Sequence, residues 1–424
     1  MSTREEATLR AAAQGRGGQR TASAWAEARS TLFDRWLAAQ VLRAAGNPPV
    51  GLILWDGRRV RSDEEPSVWV ELRDRSLLPR LLVDPSLTFG DGYAEGRIRV
   101  RGDLLAFLEA VFHPARGPSL LGTTQQAVLR LLHHPRSNSL RGSRENIHHH
   151  YDLGNEFYRM WLDREMVYTC AYYPDPSDTL EEAQQAKMHH VCRKLRLRPG
   201  ETVAEAGCGW GALALFMARH YGVTVRAYNI SHEQVAFARE RARAEGLDGQ
   251  VTFVEDDYRN LSGRYDAFVS VGMLEHVGKR HYRELGRVIR RCLKPEGRGL
   301  VHTIGRDRPL PMDRWIERRI FPGAYPPTLK EMMTLFEPYG FSVLDVENLR
   351  LHYARTLEHW LERYEACAER VRRLFDERFV RMWRLYLAGS IAAFRSGSLQ
   401  LFQVVFSRSG ENSIPWTRAH LYES

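Results

Sequence analysis

Cysteine is scarce in this 424-residue chain and is never paired at close spacing. The five copies, Cys170, Cys192, Cys208, Cys292 and Cys367, contain no CxxC pair. That spacing argues against a disulfide framework and a structural zinc site, and it suits a reducing cytoplasm. Long apolar runs are missing as well, and nothing approaches the roughly 20 residues that span a bilayer. No transmembrane helix is therefore expected. Residues 1–21 carry scattered Arg and Glu but no apolar centre and no small-residue cleavage site, so they read as a mobile tail rather than a signal peptide. Lysine is nearly absent too, with positions 187, 194, 279, 294 and 330 the only ones among 61 basic residues. The net charge of +9 still favours anionic partners, although it cannot choose between phospholipid headgroups and nucleic acid.

What remains is a globular composition, 43% hydrophobic and 27% charged, long enough for two or three domains. Residues 22–121 read as a small α+β domain. It opens with a helical pattern around Ala24 to Ala45, continues through a strand and turn at Val50 to Gly57, and ends in an apolar helix at Leu104 to Phe112. Residues 122–145 read as a linker with one helix, Gln125 to His133. From Pro199 onward strand and helix patterns alternate, as a doubly wound α/β sheet requires. Strands are predicted at Thr202–Ala206, Val223–Asn229, Val251–Glu255, Tyr265–Val271 and Gly299–Ile304. A late hairpin-like pair follows at Phe341–Asn348 and Leu399–Ser407. Between that pair, Thr356 to Phe394 carries Trp360, Tyr364, Cys367, Val371, Leu374 and Met382 at helical spacing. Core packing explains such a stripe first, and a greasy lid over a long-chain substrate is the sharper reading.

The first strand of that sheet runs into Glu205-Ala206-Gly207-Cys208-Gly209-Trp210-Gly211. Glycines there let a turn tighten and let backbone approach a ligand. A dinucleotide fingerprint would read G-x-G-x-x-G, with an acid about 20 residues later. Here the third glycine comes one residue early and the second strand ends in Tyr228-Asn229. Three alternating glycines also describe an ordinary turn. The acid at the strand mouth favours S-adenosylmethionine, whose amino end Glu205 could bind. Cys208 is more simply a small packing residue than a nucleophile. The run His148-His149-His150 suggests no metal site, because consecutive side chains diverge and no ligand cluster follows.

Five blocks in register carry more weight than the turn alone. They are Asn146 to Tyr158, Met166 to Tyr173, Gly207 to Gly211, Ser270 to Gly278 and His302 to Gly305. Together, over roughly Asn146 to Ser409, the chain closely resembles the cyclopropane-fatty-acyl-phospholipid synthase family. The resemblance implies a class I methyltransferase fold, a doubly wound seven-stranded sheet with the smaller N-terminal α+β domain. It makes 146–424 the catalytic domain, with helical lid segments 146–185 and 356–394. It also implies methylene transfer from S-adenosylmethionine to the double bond of an unsaturated phospholipid acyl chain. The carbocation would be deprotonated by bound bicarbonate, in a pocket of Glu275, His302, Tyr353, Cys170 and Ile304.

For the cofactor the resemblance implies Tyr151, Tyr168 and Thr169 at the methionine end, with Gly207, Gly209, Gly211 and Glu205. Asn229, Ser231 and Gln234 would serve the ribose, and Asp256, Asp257 and Tyr258 the adenine. Asn229 departs from the Thr expected there, and Ser390 stands where some relatives have Cys. Peripheral binding to the anionic inner face of the cytoplasmic membrane is expected, and dimerisation only at family level. The nearest rival product is a methylated chain without ring closure: branched, methylene-bearing or a furan precursor. A nucleic-acid methyltransferase is disfavoured, since Gly272-Met273-Leu274-Glu275 replaces the Asn/Asp-Pro-Pro-aromatic turn that grips a flipped base.

Overall fold

The computed structural model describes residues 29–62, 65–113 and 153–422. The expected tail, the 122–145 linker with its helix, and the histidine run with Tyr151 lie outside them. Strands β1 (Val50–Ile53), β2 (Arg59–Arg61), β3 (Val68–Leu72) and β4 (Ile98–Arg101) form a sheet of order β2-β1-β3-β4. Helices Leu32–Ala44, Leu77–Val83, Pro85–Ala94 and Leu104–Phe112 accompany it. The first begins where the Thr31 hydroxyl accepts from the Asp34 amide while the Asp34 carboxylate accepts from that of Thr31. Two orphan donors are thereby satisfied. Its start at Leu32 makes it shorter than the pattern from Ala24 suggested, although residues before 29 are outside the described set.

The second sheet has seven strands: β5 (Thr202–Ala206), β6 (Thr224–Asn229), β7 (Val251–Glu255), β8 (Tyr265–Val271), β9 (Leu293–Arg306), β10 (Phe341–Asn348) and β11 (Leu399–Arg408). Their order is β10-β11-β9-β8-β5-β6-β7, with β11 antiparallel to both neighbours and the others parallel up to β9. This is the class I methyltransferase arrangement. The chain winds outward from β5 to β7 and then returns to β8, so β5 and β8 flank a switch point. Open α/β sheets bind ligands at the carboxyl ends of strands at such a point. Val203, Ala204 and Ala206 are wholly buried, as helices on both faces demand.

Strand β9 is longer than the expected Gly299–Ile304 at both ends. The amphipathic stripe from Thr356 is divided among three helices: Arg350–Ala366, Ala368–Leu374 and Glu377–Arg395. The Asp376 carboxylate accepts the Phe379 amide at 2.7 Å and restarts the last of them. That break drops Leu374 from the buried face, leaving it 44% exposed, while Trp360, Tyr364 and Val371 stay buried. The first and last of these helices pack with Phe157 and Trp161 into an aromatic cluster. Phe157–Trp383 (4.9 Å) and Trp161–Trp360 (5.7 Å) are edge-to-face pairs within it.

The N-terminal domain docks through helix Pro85–Ala94 against helix Glu377–Arg395 of this layer and against a further helix, Arg314–Arg319. Arg314 pairs with Asp84 (2.7 Å) and Arg319 with Asp91 (2.8 Å), and Ser86 donates to Asp313 at 2.5 Å. Beneath these polar contacts the apolar interior of the N-terminal sheet and that of the helical layer are one continuous core.

Candidate functional site

At the switch point the chain turns sharply after β5. Gly207, Gly209 and Gly211 all have positive φ (+84°, +53° and +85°), which L side chains rarely adopt. Their surroundings differ. A Cβ at Gly211 would lie 2.6 Å from the Phe253 ring, so Gly211 serves helix–strand packing at the start of helix Ala212–Tyr221. At Gly209 it would meet nothing within 4 Å, because that glycine opens onto a cavity of about 860 Å³.

Glu205, on β5, lines the cavity and is 2% exposed. Burial pushes its carboxyl up to about 8 against the opposing charge of Lys187. Its Oε2 has no hydrogen-bond partner. Lys187, on helix Leu180–Lys194, is equally buried and donates to the Thr169 hydroxyl at 3.2 Å. Burial depresses its ammonium to about 8, opposed by Asp163, Cys170 and Glu205. Across the turn, Asn229 donates to Gln234 Oε1 (2.8 Å) and to the Gly209 carbonyl (3.2 Å). Asn229, Gln234, Thr169 and Tyr168 also line the cavity.

The opposite wall comes from the end of β8, from β9 and from the helical layer. Glu275, in the short helix Leu274–Val277, is 6% exposed, and its Oε1 accepts the Ile304 amide at 2.5 Å. Burial pushes its carboxyl up to about 7, moderated by backbone donors and with no cation opposing it. Its Oε2, like that of Glu205, has no partner. Ile304, Tyr353, Tyr386 and Ser390 line the same space. The Tyr353 ring lies tilted 4.6 Å from that of Phe394, and the Tyr168 and Tyr386 hydroxyls meet at 2.8 Å.

Not every expected site residue reaches the cavity. Cys170 is wholly buried outside it, its thiol 3.0 Å from the Ala171 carbonyl and pushed up by burial. His302 lies behind the wall, bonded through Nδ1 to Gln403 at 3.0 Å, and burial lowers its imidazole to about 3. It is neutral at physiological pH. Ser231 caps helix His232–Ala244 through the Gln234 amide. Asp257 caps the turn after β7 and pairs with Arg259 at 3.1 Å. Asp256 accepts the Asp257 amide at 2.7 Å, and Tyr258 is buried beside Arg259. None of these four lines the cavity.

Lys187 and Gln403 are the polar groups the sequence reading missed. Lys187 left a signal, being a lysine kept in a chain whose basic residues are otherwise almost all arginine. Gln403 left none, since it sits in a strand read only for its apolar alternation.

A family model described as mycolic acid cyclopropane synthetase matches residues 138–404, and one described as a domain of unknown function matches 37–118. The chain is 36% identical to a probable fatty acid methyltransferase of Pseudomonas putida, over 88% of this chain and 96% of that one. It is 46% identical to the cyclopropane-fatty-acyl-phospholipid synthase of Escherichia coli (strain K12), over 62% of this chain and 68% of that one. A mycolic acid cyclopropane synthase crystallised with SAH and CTAB superposes with a TM-score of 0.60 at 30% identity. That match covers 62% of this chain and 98% of the other.

Proposed function

The chain belongs to the mycolic acid cyclopropane synthetase family and is an S-adenosylmethionine-dependent methyltransferase, and from that premise we propose that it cyclopropanates unsaturated acyl chains of phospholipids. The observation that carries this reading is a single cavity. It joins the glycine turn and Glu205 at one end to a buried acid, Glu275, among aromatic and aliphatic side chains.

S-adenosylmethionine supplies the methyl as an electrophilic sulfonium when bound, and bicarbonate supplies the base. Glu205 Oε2 suits an ammonium, because a buried carboxylate oxygen without a partner gains a charge-assisted hydrogen bond. Gly209 leaves room beside it. Tyr168 and Thr169 border the same end, with Tyr151 expected from the resemblance alone. An isolated alkene is a weak nucleophile, so positioning in a water-excluded slot must do most of the work. Tyr353, Tyr386 and Trp210 line that slot, and aromatic rings favour a developing carbocation through the negative charge of their faces.

Glu275, with a carboxyl near 7, can share a proton with a bound anion such as bicarbonate instead of repelling it. Neutral His302, fixed by Gln403, would support that wall from behind, and Ile304 holds Glu275 through its amide. Tyr353 lines the expected pocket, whereas Cys170 is buried outside it with a neutral, occluded thiol.

The rival product is an acyl chain methylated without ring closure, a reading favoured by the relative named a fatty acid methyltransferase. Incubation with labelled S-adenosylmethionine and unsaturated phospholipid vesicles, read by mass spectrometry of the released esters, separates the two. A cyclopropane ester supports the proposal, a branched or methylene ester promotes the rival, and no lipid label sinks both.

Among the described residues no helix is long and apolar enough to cross a membrane. Access to phospholipid then calls for peripheral contact with an anionic surface, worth about 1 kcal/mol per basic residue close to it. Phe33 and Trp36, stacked at 5.7 Å and more than half exposed on the first helix, are candidates for that contact. Failure to bind anionic vesicles at low salt would remove this part of the reading.

A further inference from the structure

The cavity does not stop at the catalytic sheet. It continues past Trp315 and Gly90 into the N-terminal sheet, where Val50, Leu52, Val70, Leu72, Leu81 and Leu108 line it. Each of those six is less than 9% exposed, so this arm is cut into the core of the N-terminal sheet rather than into its surface. Trp315 crosses the seam: its indole lies against Gly90 so closely that a Cβ there would sit 2.3 Å from the ring. The same apolar cluster runs unbroken from this sheet to Tyr353 and Trp360 in the helical layer.

Resting on the lipid reading above, we propose that the N-terminal sheet forms the blind end of the acyl-chain site and receives the methyl-terminal arm of the substrate. Chemistry fixes the orientation. The carboxyl arm ends in an ester and a charged headgroup, which cannot be left in an apolar pouch without partners. The six pouch residues are all aliphatic. Of the charged and polar groups that line the cavity, Arg306, Arg308 and Arg314 with Asp84, Ser86 and Asp313 sit at the seam, and Lys187, Glu205 and Glu275 sit at the catalytic part. A pouch of fixed depth then measures the distance from the double bond to the chain's methyl end, and the match to a domain of unknown function gains a role in substrate selection.

The test uses the full-length enzyme with anionic vesicles carrying equal amounts of three monounsaturated phospholipids. Relative to a 16-carbon chain with its double bond at carbon 9, an 18-carbon chain with the bond at carbon 9 lengthens the methyl arm. An 18-carbon chain with the bond at carbon 11 lengthens the carboxyl arm. Val70→Phe fills the pouch, and Val41→Phe, at a half-buried cavity-lining position on the first helix, narrows it with less demand on folding. SAH binding by calorimetry certifies an intact cofactor end in each variant. The expected result is a loss of tenfold or more in product from the long-methyl-arm lipid relative to the other two. Unchanged product ratios, or a penalty confined to the long-carboxyl-arm lipid, would overturn the proposal. A wild-type enzyme that labels no lipid would instead defeat the underlying function, so the two failures are distinguishable.

Discussion

The cofactor side and the reaction side of the cavity's catalytic part each hold a buried glutamate with one unpartnered oxygen, yet the two acids are set up differently. Glu205 faces the ammonium of Lys187, whereas Glu275 meets only backbone and hydroxyl donors. An acid beside a buried cation can ionise when a second cation arrives. An acid held by neutral dipoles stays poised near neutrality and can share its proton with an anion. The same side chain thus serves opposite ligands, and its neighbours decide which.

Substitutions can break that comparison, and the largest effect belongs to the reaction end. Glu275→Ala should lower kcat by about 10²- to 10⁴-fold, the usual worth of a positioned proton-handling group. Its SAH affinity by calorimetry should be unchanged. Depleting bicarbonate should slow the wild type strongly and the variant hardly at all. A variant that loses SAH binding would show that the two ends are not separable.

At the other end, Glu205→Gln should weaken SAH binding by about 10- to 100-fold, the range for losing a charge-assisted hydrogen bond. The comparison is sharpened by pH. Below about 7 Glu275 is mostly neutral and can donate to an anion, and above it the carboxylate repels one. Activity should therefore fall as pH rises through 7 in the wild type, and that limb should flatten in Glu275→Gln. The smallest effect is a proton count. Burial raises the Glu205 carboxyl to about 8, so binding of the SAH ammonium beside it near pH 7 should be accompanied by proton release. Calorimetry in buffers of different ionisation enthalpy measures it, and Glu205→Gln should abolish most of it.

Much of this was legible in the sequence wherever one residue's backbone or periodicity decides the outcome. Strands β5, β7, β8 and β10 fall where they were expected, β5 and β8 because parallel strands buried on both faces write themselves as apolar runs. The turn at Gly207 to Gly211 was readable because positive φ leaves glycine as its mark. The division of labour among nearby polar residues was not. Ser231 and Asp257 match the expected cofactor blocks, but each spends its side chain on a cap. The restart of the last helix after Leu374 depends on Asp376, one polar residue inside a long amphipathic pattern. Nothing in the order of residues announces that the core of the N-terminal sheet and the catalytic cavity are continuous. That follows from docking through Asp84, Ser86 and Asp91, which are far from the catalytic blocks in sequence.

The most direct measurement gives the enzyme S-adenosylmethionine with a fully deuterated methyl and vesicles of a monounsaturated phospholipid, then reads the structure and deuterium content of the product. Methyl transfer, loss of one deuteron to the base held beside Glu275 and ring closure should yield a cyclopropane ester retaining two deuterium atoms. A branched, open-chain ester retaining all three would contradict it.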